Sequence, residues 1–400
     1  MFSRLASGAF SQLQRYYPMV AVTGPRQSGK TTFVRSQCKD KPYANLEEPD
    51  TREFATADPR GFLAQYPDGA VLDEVQRVPS LFSYLQAEVD EAQHSGKPKK
   101  ARPWHARYIL TGSQQLQLME GVTQSLAGRV GFLHLLPFGY AEIRDAAPKM
   151  TLDNWLISGG YPPIYDRKIP PAIWHRDYVA TYIERDVRQL LNVRDLTSFQ
   201  RFVRMCASRV GQLLNLSALA ADCGITHNTA RAWLSILEAS YLVFTVAPWH
   251  ANIGKRLVKT PKLYFYDTGL AAWLAGYTSA DQLRHSPMRG ALFENAMVLE
   301  AMKVRFNFLK DAACHFYRDS NGNEIDLLLE FEGKRHAIEM KAGVTVASDW
   351  FQPLLHHQSI LAADTLSLVY GGNKSMHRQQ VDVVSWDGAP ELFASLMGAA

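Results

Sequence analysis

Residues Gly24 to Thr31 read GPRQSGKT, a complete G-x-x-x-x-G-K-[ST] phosphate loop. The chemistry of that spacing is the cradling of a nucleoside triphosphate. Its glycines let backbone N–H groups curl around anionic oxygens, and the helix that follows turns its positive end toward them. The expectation is that Gly24, Pro25, Arg26, Gln27, Ser28, Gly29, Lys30, Thr31 and Thr32 hold ATP, with the Lys30 ammonium on the outer phosphates and the Thr31 hydroxyl on Mg2+. An ordinary Gly/Ser turn is the bland alternative. It fits poorly, because the apolar run MVAVT leads in as a buried strand and residues 31–36 continue as a helix.

Downstream, Ala70 to Glu74 reads AVLDE, an apolar strand ending in two acids. Asp73 is placed to orient metal-bound water and Glu74 to polarise the attacking water. A third strand, YILTGS at Tyr108 to Ser113, ends in small polar residues, with Ser113 the candidate γ-phosphate sensor and Thr111 behind it. Arg129, in SLAGRV, is of the type that neutralises transition-state charge on a neighbouring subunit's nucleotide. A lone solvated cation is the competing reading of Arg129.

A second constellation lies near the C-terminus, where NEIDLLLEFEGKRHAIEMKAG carries Asp326 and then Glu339 and Lys341. This D…E-x-K spacing fits the PD-(D/E)XK restriction-endonuclease-like pattern, in which two carboxylates on adjacent strands share a divalent ion and the lysine steadies water or the scissile phosphate. Strand alternation puts Glu339 and Lys341 on one face. Glu294, on a helical pattern, is a candidate third carboxylate. A scaffold or DNA-holding role without cleavage is the alternative.

Between these sites, Asn215 to Val246 has a winged-helix pattern: a short helix, a turn at Cys223 and Gly224, a second helix capped by Thr226, and a strand from Tyr241 as the wing. His227, Asn228, Thr229 and Arg231 near the start of the second helix suit DNA contact, and a protein-binding or lid role is the alternative. Two basic stretches could follow a phosphate backbone or be solvated loops: Lys255, Arg256, Lys259 and Lys262, and the cluster Lys97, Lys99, Lys100 and Arg102 beside Trp104.

The elements that must position these groups follow from pattern. Residues 1–147 alternate apolar runs with helical stretches, giving five candidate strands: 20–23, 43–46, 69–72, 108–111 and 130–135. Helical patterns at 152–158 and 174–193, around the turn-rich GGYPP, make 148–192 a lid or linker. Residues 193–288 hold the winged-helix segment, and 289–400 a second α/β pattern with helix 291–303 and strands 325–330, 335–340 and 365–370. Four hundred residues exceed one core. The net charge of +4 is too small to declare a nucleic-acid partner by itself. Cys38, Cys206, Cys223 and Cys314 are too scattered for a zinc knuckle or disulfide framework, which predicts reduced cytosolic thiols. The absence of a long apolar run predicts a chain that is cytoplasmic and does not enter membranes.

GPRQSGKTT, VLDEVQRVPSLF, YILTGSQQLQL and SLAGRV, in this order, resemble the AAA+-type bacterial and archaeal ATPases, whose members read G-x-R-x-x-G-K-[ST], DE-[IV]-Q-R-x-P, LTGSS and L-x-GR. The likeness continues through GGYPPIY, YIERDVRQL and PKLYFYDTGL into the C-terminal domain of unknown function that commonly follows this ATPase. It implies that Lys30 and Thr31 bind nucleotide and Mg2+, that Asp73 and Glu74 form the second acidic motif, that Ser113 lies in the sensor and that Arg129 is an intersubunit finger. Gln114 departs from the family's second serine and leaves the sensor's identity open. Arg185, in YIERD, either faces phosphate as a lid cation or pairs with Glu184 or Asp186. The fold expected is α/β: a P-loop parallel sheet, a helical and winged-helix region, and a restriction-endonuclease-like α/β domain. The expected function is a homo-oligomeric ring ATPase, a hexamer being one form, that binds or remodels branched or single-stranded DNA. An ATP-gated nuclease and an ATP-dependent switch with a protein partner stand as alternatives.

Overall fold

The computed structural model describes residues 2–94, 106–112, 126–183, 196–250, 260–319 and 322–399. Ser113, Arg185, the basic cluster around Trp104, and Lys255, Arg256 and Lys259 lie outside the described residues. The chain divides into two compact units, one of residues 3–136 with 306–309, the other of residues 1–2, 137–305 and 310–400.

The first unit is built on five parallel strands: β1 (Met19–Thr23), β2 (Tyr43–Asn45), β3 (Val71–Asp73), β4 (Tyr108–Gly112) and β5 (Val130–His134). Their order is β2-β3-β4-β1-β5. Met19 and Ala21 pack on one face with Leu72, Tyr108 and Leu110, and Val20 and Val22 on the other with Val71, Ile109 and Leu133. Burial of both faces explains why these strands read as unbroken apolar runs. The helix Lys30–Gln37 follows β1, so the phosphate loop and the Asp73 end of β3 share the carboxyl edge of the sheet, where such folds bind ligands.

In the second unit, the turn GGYPP is pinned from two sides. The Gly160 N–H donates to Asp267 at 2.7 Å, and its carbonyl accepts from the Phe138 N–H at 2.7 Å. A Cβ on Gly160 would lie 2.2 Å from the Phe138 carbonyl oxygen, so only glycine fits. Asp267 also caps the helix Thr268–Leu274 by accepting from the Leu270 N–H at 2.8 Å. The motifs GGYPP and YDTGL are therefore two halves of one joint.

Helices Leu196–Ala207, Leu216–Cys223 and His227–Ala239 come next, the second capped by Asn215 and the third by Thr226. Ala230, Trp233, Leu234 and Leu237 are buried, as their helical spacing requires. Strand β6 begins at Val243, later than Tyr241, which sits at φ +54 in a left-handed conformation incompatible with a strand. β6 (Val243–Val246) pairs antiparallel with β7 (Lys262–Phe265).

The helix Met288–Asn307 precedes a six-stranded mixed sheet. Its strands are β8 (Ala313–Arg318), β9 (Glu324–Phe331), β10 (Lys334–Lys341), β11 (Thr365–Tyr370), β12 (Met376–Arg378) and β13 (Val381–Ser385). The order is β12-β13-β11-β10-β9-β8, with β10, β11 and β13 parallel and the other pairings antiparallel. Ile325, Leu328, Ala337 and Leu368 form a core with Leu354 and Leu361 of the helix Gln352–Leu361. Among the described residues, no helix is long and apolar enough to cross a membrane. The four cysteines are free thiols.

Candidate functional sites

At the first site the phosphate loop wraps its own lysine. The Lys30 Nζ donates to the carbonyls of Gly24 at 3.0 Å and Pro25 at 2.9 Å. Burial pushes its pKa down to about 8, a shift that the neighbouring Glu74 and Asp73 carboxylates partly offset. Gly24, at φ +146, approaches the residue after β5 so closely that a Cβ would lie 2.2 Å from the Leu135 carbonyl oxygen. Arg4 secures the loop from behind, donating to the carbonyls of Ser28 at 2.9 Å and Leu136 at 2.5 Å.

The two acids are tied into one network with the loop. The Thr31 hydroxyl donates to Asp73 at 2.9 Å and the Tyr43 hydroxyl donates to the same oxygen at 2.5 Å. Thr111 donates its hydroxyl to the other Asp73 oxygen and accepts from the Glu74 N–H at 3.2 Å. Gln76 donates to the Glu74 carboxylate. Glu74 itself sits at φ +54, a conformation costly for a non-glycine residue and typical of functional strain. Asp73 and Thr111 are buried, so this network is held rigidly. The donor set around Thr31 and Asp73 is oxygen-only, which suits a hard divalent cation such as Mg2+.

Tyr43 and Arg4 gave no sequence signal for their roles, since a tyrosine on β2 and an arginine before the first helix are unremarkable types at those places. Arg129 is not a solvated lone cation. Its guanidinium grips Asp90 with two bonds, at 2.6 and 2.8 Å, inside the same unit. Action on a second subunit's nucleotide would require Asp90 to release it.

At the second site the structure brings together Glu294, Asp326, Glu339 and Lys341, and adds Glu324 and Lys262. Carboxylate oxygens of Glu294, Glu324 and Asp326 all lie within 4.8 Å of one another. Asp326 accepts from the Met340 N–H at 2.8 Å, and Lys341 donates to Glu339 at 2.5 Å. The other Glu339 oxygen is buried without a hydrogen-bond partner. Burial, then the charge of Asp326, pushes Glu339 up to about 8 and Glu294 up to about 7.

Lys262 corrects an expectation. Placed by sequence in a basic stretch fit for solvent or a phosphate backbone, it is 2% exposed and points into the acid cluster. Its Nζ lies 2.7 Å from Glu294 and 4.0 Å from Asp326, and it bonds Glu324. Burial opposes its charge, but the three carboxylates more than compensate and raise its pKa. Strand alternation is the signal that could have found Glu324, which shares a face with Asp326, whereas no local pattern marks Lys262 or Tyr264, whose hydroxyl donates to Glu294 at 2.6 Å.

Three family models match successive parts of the chain. An AAA domain matches residues 16–144, a domain of unknown function (DUF8612) matches 149–281, and another domain of unknown function (DUF4143) matches 289–387. The uncharacterized proteins Rv2008c of Mycobacterium tuberculosis and Mb2031c of Mycobacterium bovis are each 33% identical over 327 residues, covering 81% of this chain and 70% of theirs. Among solved structures, the Walker-type ATPase PABY2304 of Pyrococcus abyssi aligns with TM-score 0.45 and 13% identity over 68% of this chain and 96% of that one. The ORC2 protein of Aeropyrum pernix aligns with TM-score 0.36 and 15% identity over 67% and 91%.

Proposed function

The chain belongs to the family of these mycobacterial proteins and, through its AAA domain, is a P-loop ATPase with a C-terminal DUF4143 domain; from that premise we propose that it couples ATP hydrolysis to binding or remodelling of DNA in a homo-oligomeric ring. The observation that carries the hydrolytic half is the continuous network Thr31–Asp73–Thr111–Glu74 beside the buried Lys30. In this reading Lys30 would leave the loop carbonyls for the outer phosphates, and Thr31 and Asp73 would hold Mg2+. The metal, when bound, neutralises phosphate charge. Asp73 is kept in place by Tyr43 and Thr111, while Glu74, aligned by Gln76 and by Thr111 at its N–H, accepts a proton from the attacking water. Arg129 reaches a neighbouring subunit's nucleotide once Asp90 releases it.

The DNA half rests on the helix His227–Ala239, read as the recognition helix of a winged-helix module whose wing is the β6–β7 pair. Asn228 and Arg231 are exposed at its start, free of the apolar face formed by Trp233 and Leu237. ATP turnover measured with no DNA and with single-stranded, duplex and branched DNA tests this half. Stimulation of several-fold by at least one form, reduced in Arg231→Ala, is expected. Turnover indifferent to every DNA, with no DNA bound, would replace the motor by a switch acting on a protein.

A second reading is favoured by one observation, the gathering of Glu294, Asp326, Glu339 and Lys341 expected of a restriction-endonuclease-like site. It makes the protein an ATP-gated nuclease. Mg2+-dependent cleavage that disappears in Glu339→Ala, with ATP turnover kept, supports it; no cleavage by the wild-type protein removes it.

A further inference from the structure

The carboxylates of the C-terminal cluster already face a cation, and it is part of the chain. Lys262 reaches them from β7, a strand outside the six-stranded sheet that carries Glu324 and Asp326. Its placement is enforced rather than incidental. Asn295, next to Glu294 on the Met288–Asn307 helix, grips the Phe265 backbone on both sides, accepting from its N–H at 2.6 Å and donating to its carbonyl at 3.1 Å. Two residues from Lys262 along β7, Tyr264 donates to the same Glu294 oxygen that Lys262 contacts at 2.7 Å. The second oxygen of Glu339, a residue 3% exposed, has no hydrogen-bond partner, although Glu339 is close enough to feel the charges of Asp326 and Glu294. A buried carboxylate oxygen left unsatisfied within the reach of Asp326 and Glu294 is costly in a finished structural ion pair and is expected where a ligand completes the set.

We propose that Lys262 is a tethered competitor for a divalent-cation site formed by Glu294, Glu324 and Asp326 with Glu339 beside them, and that β7 must withdraw its ammonium before a metal can enter. The proposal rests on reading the acids as a cation site, and adds to it a lock carried on the wing strand. One ammonium cannot satisfy oxygens that a divalent ion would coordinate simultaneously, yet it supplies enough charge to exclude that ion while it stays. The site is thereby silenced in the arrangement seen here, and any event that moves β7 against the Met288–Asn307 helix opens it.

The test uses the full chain without nucleotide and Mn2+ as the probe, with binding followed by calorimetry. Lys262→Met removes the charge and keeps most of the length, and Lys262→Arg keeps the charge. Mn2+ affinity is expected to rise at least about tenfold in Lys262→Met. Lys262→Arg should stay near wild type, and the gain should vanish in Lys262→Met/Asp326→Asn. If folded Lys262→Met binds Mn2+ no tighter than wild type, the lock is overturned. If its affinity does rise but survives Asp326→Asn, the cation-site reading itself fails and takes the lock with it. Should Lys262→Met prove unfolded in chelator, thermal unfolding replaces calorimetry: Mn2+ restoring the folded state supports the proposal, and no restoration at saturating Mn2+ overturns it.

Discussion

Lys30 is the residue on which the proposed nucleotide chemistry turns, and its surroundings give it an unusual titration. Out of water, its ammonium has a pKa lowered to about 8, against an unperturbed value of 10.5. A bound triphosphate places negative charge beside it and raises that value again, so above pH 8 binding takes up a proton. Affinity should therefore be flat below this pH and weaken above it, by up to about tenfold per pH unit. Calorimetry in two buffers of different ionisation enthalpy measures the uptake directly; binding that takes up no proton between pH 8 and the ordinary lysine range would show that the ammonium does not meet the phosphates. The placement of the loop and the two acids in one candidate site was legible in the sequence because it is local, fixed by spacing along one strand–loop–helix and one strand end. Tyr43 and Lys262 were not, since each acts on a group brought to it only by the fold.

At the scale of elements, parallel strands buried on both faces announced themselves as apolar runs, and all five strands of the first sheet lie where pattern placed them to within a residue or two. β8 escaped notice because only Phe316 is buried along it, so no period-two alternation marks it. The joint between GGYPP and YDTGL was likewise invisible as a joint: GGYPP was recognisable as a turn and YDTGL only as part of a family motif, and nothing along the chain pairs Gly160 with Asp267. That pairing carries a measurable load. Asp267→Ala removes a helix cap and leaves the buried Gly160 N–H without its acceptor, which should destabilise the second unit by about 2–4 kcal/mol. Chemical denaturation that reports less than about 0.5 kcal/mol would mean the joint relaxes and is not a fixed element.

For the whole molecule, the two compact units divide the chemistry. Residues 3–136 carry the entire phosphate loop and both of its acids, and the second unit carries the capped helix His227–Ala239 and the C-terminal acids. The first unit ends at Leu136, and in the second Tyr140 packs on Trp155 at 5.8 Å and on Trp386 at 4.5 Å between ring centroids. Within the second unit the segments read separately as 193–288 and 289–400 are joined through Lys262, Tyr264 and Asn295, long-range contacts that no local pattern encodes. The proposed function requires the first unit to hydrolyse ATP at the phosphate loop that contains Lys30. Steady-state ATP turnover of the wild-type protein and Lys30→Ala, compared at neutral pH with Mg2+, tests this most directly. The account predicts a loss of at least about a hundredfold in the variant, since the ammonium neutralises charge that develops in the transition state; turnover in Lys30→Ala equal to wild type would contradict it.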